Sequence, residues 1–457
     1  MRNGEISFWY ADCGLSDPRP PLDGDTSADV CIIGAGYTGL WAAWYLKALA
    51  PDLNILMVER EFAGFGASGR NGGWLTGGFA WNHQRYQQSS SREAVQAMIA
   101  AMAGTVDQVI GVADACGIDA DIHRTDELLV ATNPAQMARL TAFQRAREGW
   151  GVAADRTYLI GAADLKPRLN VAGALGAMVI EGVARVQPAK LVKGLAAAVA
   201  ARGVRIAEGT AVLRYGPGLV ETDRGRVRAP VVLRATEGFT AGLPGHGREW
   251  LAMNSAQVVT EPLPDALWNR IGWQGAELFG DYAHSYCYAQ RTREGRIAMG
   301  GRGVPYRYGS RSDIRGATQD QTIRQLTAIL HRHFPQVRDV PIAHAWCGTL
   351  GVPRDWCATV GFDAGTGLGF AGGYVGVGVS TSNLAGRTLA ELALGVQSER
   401  TGLPWVNRTV RRWEGEPWRW LGVHGMYRLF AMADRAEARG GRESRLAALA
   451  NRVMGRG

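Results

Sequence analysis

Val30-Cys31-Ile32-Ile33-Gly34-Ala35-Gly36-Tyr37-Thr38-Gly39 opens the stretch on which the reading of this chain turns. Four apolar residues break into G-x-G-x-x-G, and an apolar run from Leu40 to Leu49 follows. A buried strand that turns through these glycines into a helix is the context the nucleotide-binding fingerprint requires. Gly34 permits the tight turn, Gly36 lets the backbone approach a pyrophosphate, and Gly39 lets the helix pack close to the strand. The helix N-terminus at Tyr37 and Thr38 offers free N–H groups and a dipole that favour phosphate charge. A second predicted strand, Asn54 to Val58, ends at Glu59, a carboxylate placed to accept both hydroxyls of an adenosine ribose. That acid argues against a 2′-phosphate, and so against NADP.

After Glu59 the chain runs Arg60-Glu61-Phe62-Ala63-Gly64-Phe65-Gly66-Ala67-Ser68-Gly69-Arg70-Asn71-Gly72-Gly73. So many small residues cannot build a core, but they can wrap backbone N–H groups around a large anionic cofactor. The glycine fingerprint alone is compatible with any dinucleotide, or with tight packing and no ligand. With Glu59 and A-S-G-R-N-G-G in register, the chain resembles the D-amino-acid oxidase superfamily of FAD enzymes, and within it the γ-glutamylputrescine-oxidase-like amine oxidases. The resemblance implies an α/β chain with a discontinuous Rossmann-like FAD-binding domain, an antiparallel-sheet substrate domain and a helical C-terminal extension. It places Arg60, Gly66, Ala67, Ser68, Arg70, Asn71, Gly72 and Gly73 around the cofactor and gives the backbone of Val212 to the adenine.

Two later segments extend the resemblance. An apolar strand ending in Leu233-Arg234-Ala235-Thr236-Glu237-Gly238 matches the return of the chain to the pyrophosphate, with Thr236 and Gly238 as contacts. Gly367 to Ser380 then resembles the C-terminal motif, where Gly376, Val377, Gly378, Val379 and Ser380 meet the pyrimidine end of the flavin. A helix N-terminus aimed there stabilises the anion of reduced flavin. Relatives often carry His between the last two glycines; Val377 stands here. The expected FAD domain is thus residues 29–118, 183–238 and 343–396. The substrate domain is 119–182 and 239–342, between an irregular leader (1–28) and an extension (397–457).

Composition sets bounds. At 457 residues the chain is long enough for two or three domains, and its 61 glycines are about twice the usual share. The net charge of +8 comes almost entirely from Arg. No compact basic run or nucleic-acid motif accompanies it, so nucleic acid ranks last among partners. Six scattered cysteines without C-x-x-C pairs make zinc and a disulfide framework unlikely expectations, and no metal is expected. The first 29 residues lack an apolar core of a signal peptide, and no stretch reads as a membrane span, so a cytoplasmic location is the default.

The chemistry is expected at the insert. Asp281 to Arg291 reads as one strand whose alternation places Tyr282, His284, Tyr286 and Tyr288 on one face, the wall of a substrate cavity. Simple packing against a helix is the competing reading of those aromatics. Arg291, Arg293 and Arg302 are candidates for a substrate carboxylate, although each also reads as a structural or surface Arg. Trp74, Trp81 and His83 follow the segment along the flavin, and His83 and Cys347 are weak candidates for a covalent link, so non-covalent FAD is expected. The reaction implied by the resemblance is oxidation of a C–N bond in an amine or amino acid by hydride transfer to flavin N5, with imine hydrolysis and reoxidation by O2 to H2O2. Sarcosine-oxidase-like members use a Lys over the flavin to promote O2 reduction. Here the four lysines are Lys47, Lys166, Lys190 and Lys193, so Arg, His284 or the helix dipole must supply that charge, or the acceptor is a quinone or other carrier. A flavoprotein binding module without turnover is the reading from another class. The Trp- and Arg-rich tail, Pro404 to Gly457 with a helix expected at Glu443 to Met454, fits a clamp on the body or peripheral membrane contact.

Overall fold

The computed structural model describes residues 1–78, 83–301 and 306–440, together with 443, 444 and 447. Its nucleotide-binding half is a six-stranded sheet in the order 359–363, 368–372, 231–234, 30–33, 55–58, 205–207. All neighbours are parallel except the edge pair 359–363 and 368–372. Val30–Ile33 and Ile55–Val58 are buried at every position, as strands of a sheet covered on both faces must be. Alternation then divides them. Ile32 and Met57 pack under the helices Tyr37–Leu49, Pro188–Ala201 and Gly378–Ala393. Cys31, Ile33, Leu56 and Val58 pack against Val220 and Val227 of a four-stranded sheet on the other face.

The second half is a ten-stranded, mostly antiparallel sheet. Its order is 2–3, 342–352, 251–260, 297–301, 288–291, 278–281, 123–131, 176–185, 74–75, with 157–161 paired to 176–185. One face, with Val258, Phe279, Met299 and Ala345, is buried with Ile323, Leu326 and Leu330 of the helix Asp320–His333. The opposite face, with Val259, Ala298 and Trp346, meets Phe65 of the glycine-rich loop. The floor of any cavity between the halves is therefore built by residues at alternate positions of this sheet.

Several expectations are corrected. The strand Ile342–Val352, assigned to the FAD domain, pairs with Leu251–Thr260 in the large sheet, so the return to the nucleotide-binding sheet comes at Thr359. The leader is ordered: Phe8–Cys13 is a helix with Phe8, Trp9 and Tyr10 buried, and Arg2–Asn3 pairs with the large sheet. The strands Thr157–Gly161 and Gly176–Arg185 did not stand out in the sequence. The segments Arg92–Ala103 and Thr105–Ala115 are two helices meeting at Gly104. Together they are long and apolar enough to cross a membrane by length and composition, contrary to expectation, but Val95, Met98, Met102, Val106 and Val109 are buried in the core. Of the apolar window, 39% is buried.

The expected strand Asp281–Arg291 is a hairpin. Leu278–Asp281 pairs with Tyr288–Arg291, and residues 282–287 form the connection, where the Asp281 Oδ1 accepts from the Cys287 N–H at 2.8 Å. Alternation fails there, so Tyr282 and His284 part company with Tyr286 and Tyr288. The tail clamps the body. Trp418–Gly440 is a helix with Val423, Phe430, Ala433 and Glu437 buried, and Trp413 donates from Nε1 to the Val352 carbonyl at 2.7 Å. The helix expected at Glu443 to Met454 lies almost entirely outside the described residues.

His284 belongs to that clamp. Its ring stacks on Phe430 at 5.7 Å, its Nε2 lies 3.0 Å from the Glu437 carboxylate, and Arg139 pairs with the same carboxylate at 2.8 Å. Removing the buried acid leaves Arg139 without its partner, and breaking such a pair costs about 3–5 kcal/mol. Glu437→Ala is expected to raise the rate of limited proteolysis within Trp418–Gly440 while the remainder of the chain keeps its protection; unchanged cleavage would refute the clasp.

Candidate functional site

The glycine-rich turns meet at the carboxyl edge of the six-stranded sheet, where ligands bind in open α/β folds. Gly34 has φ 101°, and a Cβ on it would lie 2.7 Å from the Ala235 carbonyl oxygen. The fingerprint turn and the second motif are therefore in direct contact. A side chain on Gly39 would strike the Gly34 oxygen at 2.1 Å, which fixes why the helix can start so close to the strand. Gly36 caps that helix without a side-chain hydrogen bond, and Val377 caps Gly378–Ala393 in the same way. The Gly378–Ala393 helix thus presents first-turn N–H groups without a capping side chain, while in the fingerprint helix the Tyr37 N–H is taken by Ser68 Oγ; free first-turn N–H groups are the feature an anionic cofactor would use. This is the fit of the residues to FAD.

Glu59 ends its strand as expected, with Oε2 accepting from Ala35 N–H at 2.9 Å and Oε1 from Glu61 N–H at 3.0 Å. Burial raises its pKa above the ordinary carboxylate value, against those two donors. Thr210 donates its N–H to the Glu59 carbonyl at 2.9 Å, which carries the strand Val212–Gly216 to the same place, with Val212 half-buried at its start. Ser68 Oγ accepts from Tyr37 N–H at 2.8 Å, joining the A-S-G-R-N-G-G run to the fingerprint helix.

The polar side chains of that run build the loop. Arg70 is buried and donates to the carbonyls of Phe65 at 2.8 Å and Ile314 at 2.7 Å. Asn71 donates to the Ser68 carbonyl at 2.7 Å and accepts from Gly73 N–H at 2.8 Å. Their side chains are bonded to Phe65, Ala67, Ser68 and Gly73 of the loop itself, so contact with a cofactor would come from their backbone. Arg60 is half-exposed, paired with Glu61 and 5.6 Å from the Phe239 ring.

The second motif supplies a residue the sequence reading quoted without assigning. Glu237 Oε1 accepts from Gly373 N–H and Tyr374 N–H, both at 3.1 Å, and Oε2 accepts from Gly351 N–H. It adopts φ 40°, a region that non-glycine residues seldom occupy. Tyr374 in turn places its hydroxyl 2.8 Å from Thr38 Oγ1. The next residue, Val375, also has positive φ, 52°; for a β-branched side chain this is strain of the kind stored at functional turns. Gly238 meets Thr349, Thr236 Oγ1 lies 2.8 Å from Thr240 Oγ1, Val379 is buried, and Ser380 Oγ donates to the Thr76 carbonyl at 2.5 Å. An acid between Thr236 and Gly238 in an otherwise small-residue turn was the available signal for Glu237.

Of the expected substrate wall, two residues reach this junction. A Cβ on Gly72 would lie 2.5 Å from the Tyr288 ring, and one on Gly300 2.3 Å from it, so Tyr288 is packed between the loop and the large sheet. Its hydroxyl is 3.2 Å from Ser255 Oγ, and its ring meets Trp74 edge-on at 5.9 Å. The Tyr286 hydroxyl would lie 3.7 Å from a Cβ on Gly376. His284 does not join them. Arg291 stacks on Trp268 at 4.1 Å and donates to the Trp273 carbonyl at 3.0 Å, and Arg293 pairs with Asp121 at 2.8 Å on the surface. Both are engaged elsewhere. Arg302 and Trp81 lie outside the described residues. His83 packs against Trp150 at 5.4 Å, with its pKa lowered by burial to about 4. A concavity of about 740 Å³ is lined by Cys13, Trp44, Lys190 and Lys193 and contains none of the glycine motifs.

A family model described as FAD dependent oxidoreductase (DAO) matches residues 29–392. The chain is 30% identical over 400 residues to a probable oxidoreductase OrdL of Rhizobium meliloti, spanning 83% of this chain and 86% of the relative. It is 27% identical over 406 residues to gamma-glutamylputrescine oxidoreductase of Escherichia coli, spanning 86% and 90%. Among solved structures, glycine oxidase from Geobacillus kaustophilus superposes with a TM-score of 0.67 at 20% identity, over 81% of this chain and 96% of that one. NikD, an amino acid oxidase of nikkomycin biosynthesis, gives 0.64 at 17% identity, over 81% and 95%. These two likenesses speak for the fold.

Two outcomes follow from the geometry. A side chain on Gly36 meets Ser68 Oγ at 3.0 Å; Gly36→Val is expected to yield folded protein without a flavin absorption band, and stoichiometric flavin in that variant would refute the assignment. Burial raises the Glu237 carboxyl to about 7. An acid raised on folding contributes stability below its ordinary pKa of 4.5, and that contribution is lost as pH rises towards about 7. The stability gap between the native chain and Glu237→Gln should therefore shrink by about 1–2 kcal/mol between about pH 5 and pH 7.5, a figure discounted for partial solvent contact. Denaturant titrations at both pH values read it.

Proposed function

The chain belongs to the DAO family of FAD-dependent oxidoreductases, and from that premise we propose that it oxidises a C–N bond of an amine or amino acid and uses O2 as the acceptor. The observation that carries this reading is the contact of the aromatic wall with the glycine turns, Tyr288 on Gly72 and Tyr286 at Gly376. Bound FAD supplies the two-electron acceptor. The fingerprint helix and the Gly378–Ala393 helix would hold its anionic parts with backbone N–H groups, and Glu59 its ribose. The tyrosine rings present π faces suited to an ammonium or an apolar chain. As substrate carbon loses hydride, the amine lone pair forms the C=N bond; water then adds, releasing aldehyde or ketone and amine. The two electrons pass on to O2, which takes up two protons as H2O2. Non-covalent cofactor binding fits Cys347, whose thiol is buried, donates to the Ala317 carbonyl at 3.2 Å and is pushed up to about 11.

One observation favours a second reading, a dehydrogenase serving a quinone or other carrier. No lysine follows Lys193, and two cations that could stand in its place, Arg296 and His284, are occupied. Arg296 donates to the Thr260 carbonyl at 2.9 Å and pairs with Glu261, while His284 is held by Glu437. The N-terminus of Gly378–Ala393 is left as the source of positive potential.

The test reduces the purified, flavin-containing protein anaerobically with an amine panel and then mixes it with aerated buffer. Bleaching by an amine, followed by return of the flavin band faster than turnover with peroxide formed, is the expected result. Return slower than turnover with the same amine would make the carrier-dependent enzyme correct. No bleaching by any amine would leave a non-catalytic flavoprotein.

A further inference from the structure

The helix Trp418–Gly440 uses one of its faces to clasp the body. On that face Arg419, Val423, Phe430, Ala433 and Glu437 are buried, and Asp434 accepts from the His284 N–H at 2.8 Å and the Ser285 N–H at 3.1 Å. Trp418, Leu421, Arg428, Met432, Arg435 and Arg439 are exposed. They recur at spacings of three, four and seven residues, so they form one stripe along the side turned away from the body. Its apolar members are large: Trp418 is 72% exposed, Met432 54% and Leu421 49%.

The stripe carries charge of one sign. The two acids of the helix, Asp434 and Glu437, turn inward, where Glu437 pairs with Arg139 at 2.8 Å. Among the described residues, Arg428, Arg435 and Arg439 make no ion pair and no side-chain hydrogen bond. The chain that follows adds Arg442, Arg445, Arg452 and Arg456 against one acid, Glu443. At the other end, Glu416 accepts from the Tyr306 hydroxyl at 2.6 Å and the Gly309 N–H at 3.1 Å. These bonds bring the segment with the exposed Tyr308 to the start of the helix.

The occupant of this face has to supply negative charge along the stripe and apolar depth at Trp418 and Leu421. A second copy would bring the same positive charge and no acid to neutralise it. An anionic lipid surface supplies both: headgroups for the guanidinium groups, and the acyl boundary for indole and leucine, with the Arg stems lying along the apolar layer.

We propose that the outward stripe of Trp418–Gly440 is a docking face for an anionic lipid surface, on which the helix lies flat. From Trp418 to Arg439 it spans about 30 Å at 1.5 Å per residue, so several headgroups are met at once. The inner face is already held by the body, and the helix needs no folding on contact. Docking of this kind is peripheral and weakened by salt. It depends neither on the amine-oxidation reading nor on which acceptor reoxidises the flavin.

The test mixes the flavin-containing protein with sedimentable vesicles of phosphatidylcholine, alone or with about a third phosphatidylglycerol, and measures protein in the pellet. Binding to the anionic vesicles alone is expected, reversed by about 0.5 M salt, where the Debye length falls below about 5 Å. Each Arg at such a surface is worth about fivefold in affinity, so Arg428→Gln, Arg435→Gln and Arg439→Gln together should weaken binding about a hundredfold. Trp418→Ser with Leu421→Ser should weaken it about tenfold through lost apolar burial. Every changed residue is exposed, so the flavin band and thermal midpoint should hold. Three exposed arginines elsewhere, Arg145, Arg205 and Arg338, changed together to Gln, control for net charge. Absence of binding to anionic vesicles, equal binding to both vesicle types, or an equal loss in the control would overturn the docking face. A lipid-free dimer that the stripe variants dissociate would also overturn it and give the face to a second copy.

Discussion

Three backbone N–H groups converge on the carboxylate of Glu237, and the arrangement of the site depends on that convergence. Gly351 belongs to the large sheet, Gly373 and Tyr374 to the turn before the last helix of the nucleotide-binding half, and Glu237 itself to the second motif. One side chain therefore fixes three segments that are far apart in sequence. Tyr374 extends the constraint to Thr38 at the start of the fingerprint helix. The turn so held contains Val375 in a strained conformation, and the first N–H groups of Gly378–Ala393 follow directly. A helix N-terminus can act as a fixed partial charge only where its position is fixed, and here the fixing is done by a buried acid.

Much of this was legible in the sequence because glycine patterns report backbone geometry directly. Gly34 and Gly39 could be read as turn and packing, and each is found in that role. Strands buried on both faces were equally readable, since V-C-I-I and I-L-M-V admit little else. What the sequence did not reveal is where polar side chains point. Arg70 and Asn71 lie in the most informative segment of the chain, yet both turn inward to hold a loop that has too few apolar side chains to hold itself. Period-two alternation misled at Tyr282 to Tyr288 because a hairpin connection there breaks the pleat. Nothing local distinguishes that connection from a strand; the Asp281 side chain that closes it acts through its bond to Cys287.

The same limit applies to the boundary between the halves. Ile342–Val352 is apolar and follows a helix, so by pattern it suits either sheet. Its pairing partner, Leu251–Thr260, is some ninety residues earlier, and such non-local pairing has no local signature. The leader is a further case. Phe8, Trp9 and Tyr10 pack with Trp346 and Phe65, so a leader that reads as irregular is part of the joint between the two halves.

The distribution of charge follows one logic. Arg70, Arg139, Arg168, Arg234, Arg291 and Arg296 each hold carbonyls, carboxylates or rings in the body of the protein. The basic composition is thus largely spent on joining loops to sheets, which explains why a chain with net charge +8 shows no basic run. With guanidinium groups so engaged, the electrostatics around the glycine turns come from backbone dipoles together with the buried carboxyls of Glu59 and Glu237, whose charge depends on pH.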